Sequence, residues 1–379
     1  EYGRFSTTNY VGSLSGANDI GDFGIIASNY ETDGFNSRDI DTVLRDDDGY
    51  ENDTYYLRGG INITEGLRAE IQGRSVEGDN EFDTCSIPPD FVPTDICTNE
   101  TDEDSWRAAM RYESEDHVGE LAYSNYQTDR SFLSAGVTSF ATEGELDRVT
   151  YLGNLRVTET QSFVYGGEWR NESIDDGTVD TDRDQTGYFA EYQAGFSDQL
   201  FVTAGFRYDD NDDFGSETTY RVSGAYLITA GDGEIKLKTA YGTGFRAPSL
   251  SEIAYNNSPS AFPPALGFEL SAETSEGFDV GAGYYSNNDW FIEAVYFDQS
   301  AEDEIFFDLI DFSGYLQGDG DSEAQGVEVI GEMPLGDMFR ITGNYTYTDA
   351  EQADGDTRPR VREHIGNLGL HMLALDNKL

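Results

Sequence analysis

Tyr241-Gly242-Thr243-Gly244-Phe245-Arg246-Ala247-Pro248-Ser249-Leu250-Ser251-Glu252-Ile253 is the stretch whose reading decides the fold. The residues that lead into it alternate. Ile235, Leu237, Thr239 and Tyr241 fall on one side, and Lys236, Lys238, Ala240 and Gly242 on the other. Period-two alternation marks a strand with two different faces. The two glycines and Pro248 are expected to end its regular pairing, and an irregular segment is expected to run on to Ala272.

Working outward, composition sets the limits. The 379 residues hold 23 Lys and Arg against 74 Asp and Glu, a net charge of -51. That excludes a nucleic-acid partner, because phosphate binding needs cations. Acidity on this scale also occurs in disordered chains, but 24 Tyr, 23 Phe and 42 Gly read instead as strands punctuated by turns. No apolar run reaches the roughly 18 residues of a transmembrane helix. Glu1-Tyr2-Gly3-Arg4-Phe5 carries no signal-peptide pattern. Low hydropathy does not exclude a transmembrane β-barrel, whose strands turn only alternate residues to lipid.

Alternation recurs along the chain. Successive pairs are expected at Phe5 to Ser15 with Gly21 to Tyr30, Thr54 to Ile63 with Leu67 to Arg74, and Trp106 to Tyr112 with Val118 to Tyr126. Arg148 to Val157 pairs with Ser162 to Trp169, and Gly187 to Phe196 with Leu200 to Tyr208. Tyr220 to Ile228 pairs with Ile235 to Tyr241, Phe278 to Tyr285 with Trp290 to Phe297, and Gly326 to Met333 with Phe339 to Tyr347. Ile365 to Met372 closes the series, about 17 strands in all, with boundary errors of a few residues. Short turns alternate with long loops at 34–52, 79–103, 131–143, 174–183, 247–272, 301–321 and 349–360, with a shorter one near 210–217. Outer-membrane barrels have this asymmetry, and a soluble sandwich gives no reason for it. No helix-period segment is expected. The fold class is therefore all-β, a transmembrane antiparallel up-and-down β-barrel over residues 1–379. Tyr188, Tyr192, Phe206, Tyr208, Trp290, Tyr296, Phe339 and Tyr345 are expected to face lipid, with Glu191, Arg207, Glu293 and Arg340 on the lumen side. A lipid-facing Arg at the bilayer midplane costs about 2–4 kcal/mol.

The Tyr241–Ile253 stretch resembles a signature of TonB-dependent outer-membrane receptors, above all the cobalamin-transporter branch, with Arg246 where Lys is commoner. Glu31-Thr32-Asp33-Gly34-Phe35-Asn36, Asp46-Asp47-Asp48-Gly49-Tyr50, Asp184-Gln185-Thr186-Gly187-Tyr188, Arg207-Tyr208-Asp209-Asp210-Asn211 and Gln325-Gly326-Val327-Glu328 resemble further receptor segments, in the family's order. Phe268-Glu269-Leu270-Ser271-Ala272-Glu273 departs from the family's usual run. No plug domain, TonB-box segment or terminal aromatic is recognised. Such receptors have plugged barrels of about 22 strands. The resemblance therefore implies a barrel portion truncated at both ends, its first strand standing second in the family order and its last standing eighteenth. It also implies residence in the outer membrane of a Gram-negative bacterium. The expected partners are outer-membrane lipid, a small-molecule chelate, and the TonB energy-transducing complex reached through the missing plug.

Site candidates are fewer. Tyr241, Phe245, Arg246 and Tyr50 are the ligand-binding candidates, although Arg246 and its glycines have the commoner alternative of forming only a strand end. Cys85 and Cys97 share one external loop, where an oxidising exterior permits a disulfide; two free thiols or a metal site are the alternatives, the last remote with 3 His in the chain. His117, His364 and His371 are scattered, and no nucleophile–base pattern or phosphate loop is visible. Asp41, Asp46 and Asp48, with Gly49 for the turn, supply the hard oxygens that calcium prefers. The resemblance adds weight there, since the branch carries a calcium site in the matching segment, although Asn36 stands where a further carboxylate is expected. The functional expectation is uptake of a scarce nutrient, cobalamin or a ferric siderophore, without enzymatic chemistry. The alternative is an acidic, calcium-loaded structural or adhesive β protein at the cell surface.

Overall fold

The computed structural model describes residues 1–36, 38, 47–336 and 338–372. The strands are β1 (Thr8–Ala17), β2 (Gly21–Phe35), β3 (Asp48–Thr64), β4 (Leu67–Phe82), β5 (Cys85–Ile87), β6 (Val92–Thr94) and β7 (Cys97–Glu113). They continue with β8 (His117–Ser134), β9 (Val137–Thr158), β10 (Gln161–Asp175), β11 (Asp180–Gly195), β12 (Leu200–Asn211), β13 (Gly215–Ala230) and β14 (Gly233–Arg246). Helix α1 (Leu250–Asn257) precedes β15 (Glu273–Ser286), β16 (Phe291–Glu302), β17 (Ile305–Phe307), β18 (Tyr315–Gln317), β19 (Asp321–Leu335), β20 (Phe339–Glu351) and β21 (His364–Met372). The main sheet has 17 strands, and β5–β6 and β17–β18 are separate two-stranded hairpins.

Two compact units divide these residues. Strands β1–β8 belong to the first, β13–β21 to the second, and β9–β12 contribute residues to both. Within the first, β1–β2, β2–β3, β3–β4, β4–β7 and β7–β8 pair antiparallel. Within the second, β13–β14, β14–β15, β15–β16, β16–β19, β19–β20 and β20–β21 do the same. All of these partners are neighbours in sequence apart from the inserted hairpins, the topology of an up-and-down meander.

In the second unit the registers divide the sheet into two unlike faces. One carries Val222, Leu237, Phe278, Val280, Ile292, Tyr345 and Leu368, all exposed, together with the half-buried Tyr241. The other carries small, polar and charged residues, among them Lys238, Ala240, Gly242, Gly277, Asp279, Glu293, Gln299 and Asn344. Phe339, Tyr345 and Tyr296 lie on the apolar face; Glu293 and Arg340 lie on the polar one. In β12, Phe206 and Tyr208 are exposed, while Arg207 and Asp209 pair on the opposite side at 2.6 Å. A bare apolar sheet face beside a polar one is what a strand needs when hydrocarbon is one of its two solvents.

Several boundaries differ from the sequence reading. Phe5 lies in a turn with φ 59, and β1 starts only at Thr8. Strands β8 and β9 run through most of the expected loop at 131–143 and meet at Ala135 and Gly136, both in left-handed backbone. Likewise β10–β11 and β12–β13 close with shorter connections than the 174–183 and 210–217 loops. The cause is shared. Beyond the apolar belt both strand faces meet water, so alternation fades while backbone pairing continues.

Candidate ligand-binding site

Strand β14 does not stop at its glycines. Gly242 pairs with Gly277 and Gly244 with Ser275, and the ladder ends only with Arg246 opposite Glu273. The glycines serve approach rather than termination. A Cβ on Gly244 would lie 2.9 Å from the Ser275 hydroxyl, and one on Gly277 would lie 3.1 Å from Cβ of Gln299. They floor a trough of about 510 Å³ on the polar face, whose walls include Ser275, Asp279, Phe297, Gln299 and Arg358.

The segment expected to be irregular contains α1, which corrects the reading that no helix is present. Pro248 and Ser249 set its start. The Ser249 hydroxyl accepts from the Glu252 N–H at 3.2 Å, and Glu252 accepts from the Ser249 N–H at 2.7 Å, a reciprocal capping box. The Ser-x-x-Glu spacing after a proline was the available signal. Its eight residues are too few for hydropathic periodicity to reveal.

Arg246 ties this helix to the sheet. It donates to Glu273 at 2.7 and 2.8 Å and to Glu252 at 3.2 and 3.3 Å. Its guanidinium is thus committed to two carboxylates. Tyr241 and Phe245 share the opposite face of β14. The Tyr241 hydroxyl donates to Glu276 at 2.6 Å, and the Phe245 ring lies 5.7 Å from that of Phe214. Of these three sequence candidates, Tyr241 lines the trough, whereas Arg246 shares the strand side of Gly242 and Gly244 and stands beyond its edge at the strand end. Tyr50 belongs to the first unit, where its ring packs 5.9 Å from Tyr30.

Three residues that the sequence reading missed build the platform beside Arg246. Asn256, fully buried, donates through its amide to the Tyr315 carbonyl and accepts from the Tyr315 N–H, both at 2.8 Å. It therefore pairs with β18 as a strand edge would. Gln317 accepts from the Ser271 N–H and hydroxyl and donates to the Ser271 and Asp303 carbonyls. Glu304 accepts from Arg358 at 2.7 Å and from the Ser322 hydroxyl. Around them Tyr255, Phe307 and Tyr315 meet edge to face at 5.2–5.7 Å. Burial pushes the Tyr315 hydroxyl's pKa up.

The tip of the β17–β18 hairpin is fixed by Asp308. Its carboxylate accepts from the Ser313 hydroxyl at 2.8 Å and from the N–H groups of Ile310 and Asp311 at 3.0 and 3.2 Å. These bonds, the Ser313 hydroxyl first, hold its pKa below the usual carboxylate range. Leu309 and Ile310 stand out from this tip, 74% and 88% exposed.

In the first unit Cys85 and Cys97 form a disulfide with Cα atoms 6.0 Å apart, which braces the β5–β6 hairpin. Asp48 opens β3 opposite Phe35, whereas Asp41 and Asp46 lie outside the described residues. Among the described residues no three His, Cys, Asp or Glu side chains converge as metal ligands.

An antiparallel meander with one bare apolar face, short turns at one end and built loops at the other defines the wall of an outer-membrane β-barrel. The chain belongs to the family described as TonB dependent receptor-like, beta-barrel, which matches residues 2–375. That family consists of non-enzymatic outer-membrane transporters. The chain is 26% identical over 354 residues to the vitamin B12 transporter BtuB of Vibrio cholerae, a match that covers 90% of this chain and 54% of that protein. It is 24% identical over 266 residues to the iron-regulated outer membrane virulence protein of the same species, covering 63% of this chain and 40% of that one. The fold is also that of a ferric enterobactin receptor (PfeA) mutant from Pseudomonas aeruginosa, with a TM-score of 0.78 at 15% identity, over 99% of this chain and 64% of that one. The chain thus spans about half the length of the curated relatives it matches.

Proposed function

We propose that this domain forms the conduit wall of a receptor that takes up a scarce nutrient as a small chelate, a corrinoid or a ferric siderophore, using energy delivered by the TonB complex. The observation that carries this reading is the glycine-floored trough of about 510 Å³ on the polar face, at the foot of loops held by Arg246, Asn256 and Gln317. Such a trough lets a bulky guest approach the backbone closely, and the buried amide and carboxylate contacts keep the loops preorganised for it. The relatedness to vitamin B12 transporters supports the corrinoid as the first candidate. Calcium binding by Asp41, Asp46 and Asp48 is a separate proposal that rests on the sequence, and calorimetry with and without a chelator tests it.

The test is uptake by a Gram-negative strain that lacks its own corrinoid and siderophore receptors and expresses the full-length protein. Radiolabelled cyanocobalamin and ferric enterobactin are supplied separately, with and without a functional TonB gene. TonB-dependent accumulation of either supports the reading, and accumulation of neither, with the receptor present in the outer membrane, defeats it.

A further inference from the structure

The trough continues beyond its glycines. Its floor runs along β14 through Gly244, Gly242 and Ala240, and there it meets a second cavity of about 360 Å³ that follows the strand past Lys238 and Lys236. Three residues, Arg221, Ala240 and Asp279, line both cavities. A solute that moves along this wall passes the two charged side chains on its way from one cavity to the other.

Arg221 of β13 stands opposite Gly242, and Asp279 of β15 opposite Ala240. The two therefore flank β14, two strand spacings and two residues apart, which places their Cα atoms about 12 Å from each other. Both residues are exposed, and neither side chain makes a hydrogen bond or ion pair among the described residues. The cations further along are answered. Lys238, opposite Gly281, is taken by Glu293 at 2.5 Å, and Lys236 stands opposite Gly283, the residue that Glu293 faces on the other side. At the junction the uncommitted charges are thus one of each sign.

We propose that Arg221 and Asp279 recognise a primary carboxamide of the passing solute, the guanidinium donating to the amide oxygen and the carboxylate accepting from the amide N–H. A lone anion gains from Arg221 but loses to Asp279, and loses again in the field of a chain of net charge -51. A zwitterion satisfies both partners only after two charges are stripped of water. A primary amide carries a donor and an acceptor side by side with no charge to desolvate. The inference rests on the reading of this face as a solute conduit and narrows it, because it favours an amide-bearing corrinoid over an anionic ferric siderophore.

The full-length receptor in detergent is titrated with cyanocobalamin, whose corrin edge carries primary amides, and with its monocarboxylic acids, each with one of those amides hydrolysed. A hydrogen bond to a charged group sets the expected scale, about tenfold in affinity. Binding of the parent tighter than that of one acid by about this factor, with the gap closed in Asp279→Asn, supports the pair; a merely structural role for Asp279 would weaken both ligands alike. Arg221→Gln should weaken the parent by a similar factor. Equal affinity for the parent and every acid, an unchanged gap in Asp279→Asn, undiminished binding in Arg221→Gln, or no binding of cyanocobalamin overturns the inference. Asp279→Ala removes the same carboxylate and takes the place of the asparagine variant if that one does not assemble. Nutrient uptake is scored independently. TonB-dependent uptake of ferric enterobactin without cyanocobalamin binding defeats only this inference, and discrimination between amide and acid without uptake defeats only the transport reading.

Discussion

Glu77 of β4 stands directly opposite Asp102 of β7. Asp53 of β3 faces Glu77 on one side and Asp129 of β8 faces Asp102 on the other, so four strands place a carboxylate in one row. The next row holds Glu51, Asp79 and Glu100. On the same faces of these strands, further toward the short turns, lie the exposed apolar residues Leu57, Ile71, Trp106 and Leu121. Like charges directly opposite destabilise a ladder, and here the backbone pairing holds them together regardless.

The repulsion should be visible in salt. The screening length falls from about 10 Å at 0.1 M to about 3 Å at 1 M. Thermal unfolding of the detergent-solubilised receptor is therefore expected at a higher temperature in concentrated sodium chloride. Glu77→Gln should raise the transition in dilute buffer, and its advantage should shrink as salt rises. A variant that is no more stable than the parent at low salt would show that counter-ions already neutralise the rows.

Arg246 offers a second measurement. It joins α1 to the strand end through Glu252 and Glu273, but its side chain is 45% exposed, so solvent screening leaves each contact worth about 1 kcal/mol or less. Arg246→Gln should loosen the segment between β14 and β15 while the sheet stays intact. Limited proteolysis should then cut within 247–272 several-fold faster, with the melting of the sheet little changed. Unchanged cleavage would mean that the capping box and Asn256 hold the helix alone.

Asn256 should matter more than Arg246. Its side chain satisfies both backbone groups of Tyr315 in a dry setting, and leaving them unpaired costs about 1–3 kcal/mol. Asn256→Ala is expected to speed amide exchange through Ile305–Gln317 by about tenfold per 1.4 kcal/mol lost. Exchange in the strands away from the platform should not follow. Protection equal to the parent's would show that the aromatic packing of Tyr255, Phe307 and Tyr315 carries the hairpin without the amide.

These contrasts mark what the sequence discloses. Strand count and turn positions were legible because Ile235, Leu237 and Tyr241 alternate with Lys236, Lys238 and Ala240, and every alternating run in the membrane belt obeys the same two-solvent constraint. Family membership was legible in the Tyr241–Ile253 stretch. The extra-membrane lengths of β8 and β9 were not, because the apolar residues of Thr128 to Glu145, Phe132, Leu133, Val137 and Phe140, follow no alternation. The glycines of β14 were misread as terminators, since a glycine that ends a strand and one that lets Ser275 and Gln299 approach look alike in one dimension. Nor could the sequence pair Asn256 with Tyr315, a contact between two segments far apart in the chain that follows no periodicity.

The hairpin tip gives a pH signature. The Asp308 carboxylate is held below its ordinary pKa by the Ser313 hydroxyl and the Asp311 N–H. A depressed folded pKa means that the unfolded tip binds the proton more readily than the folded one, so the carboxylate stabilises the tip at every pH above the unfolded value of about 3.9. That contribution falls away as pH drops through the lower folded value. Exchange protection at Ile310, Asp311 and Ser313, corrected for intrinsic rates, should therefore be level from neutral pH to about 5 and decline only below about 4. Asp308→Asn keeps one acceptor oxygen but loses the charge. Its tip should be less protected at neutral pH, with no further fall in acid. Loss of protection in the parent already at about pH 6, the ordinary range of histidine, would assign the tip's stability to a different group and remove Asp308 from that role.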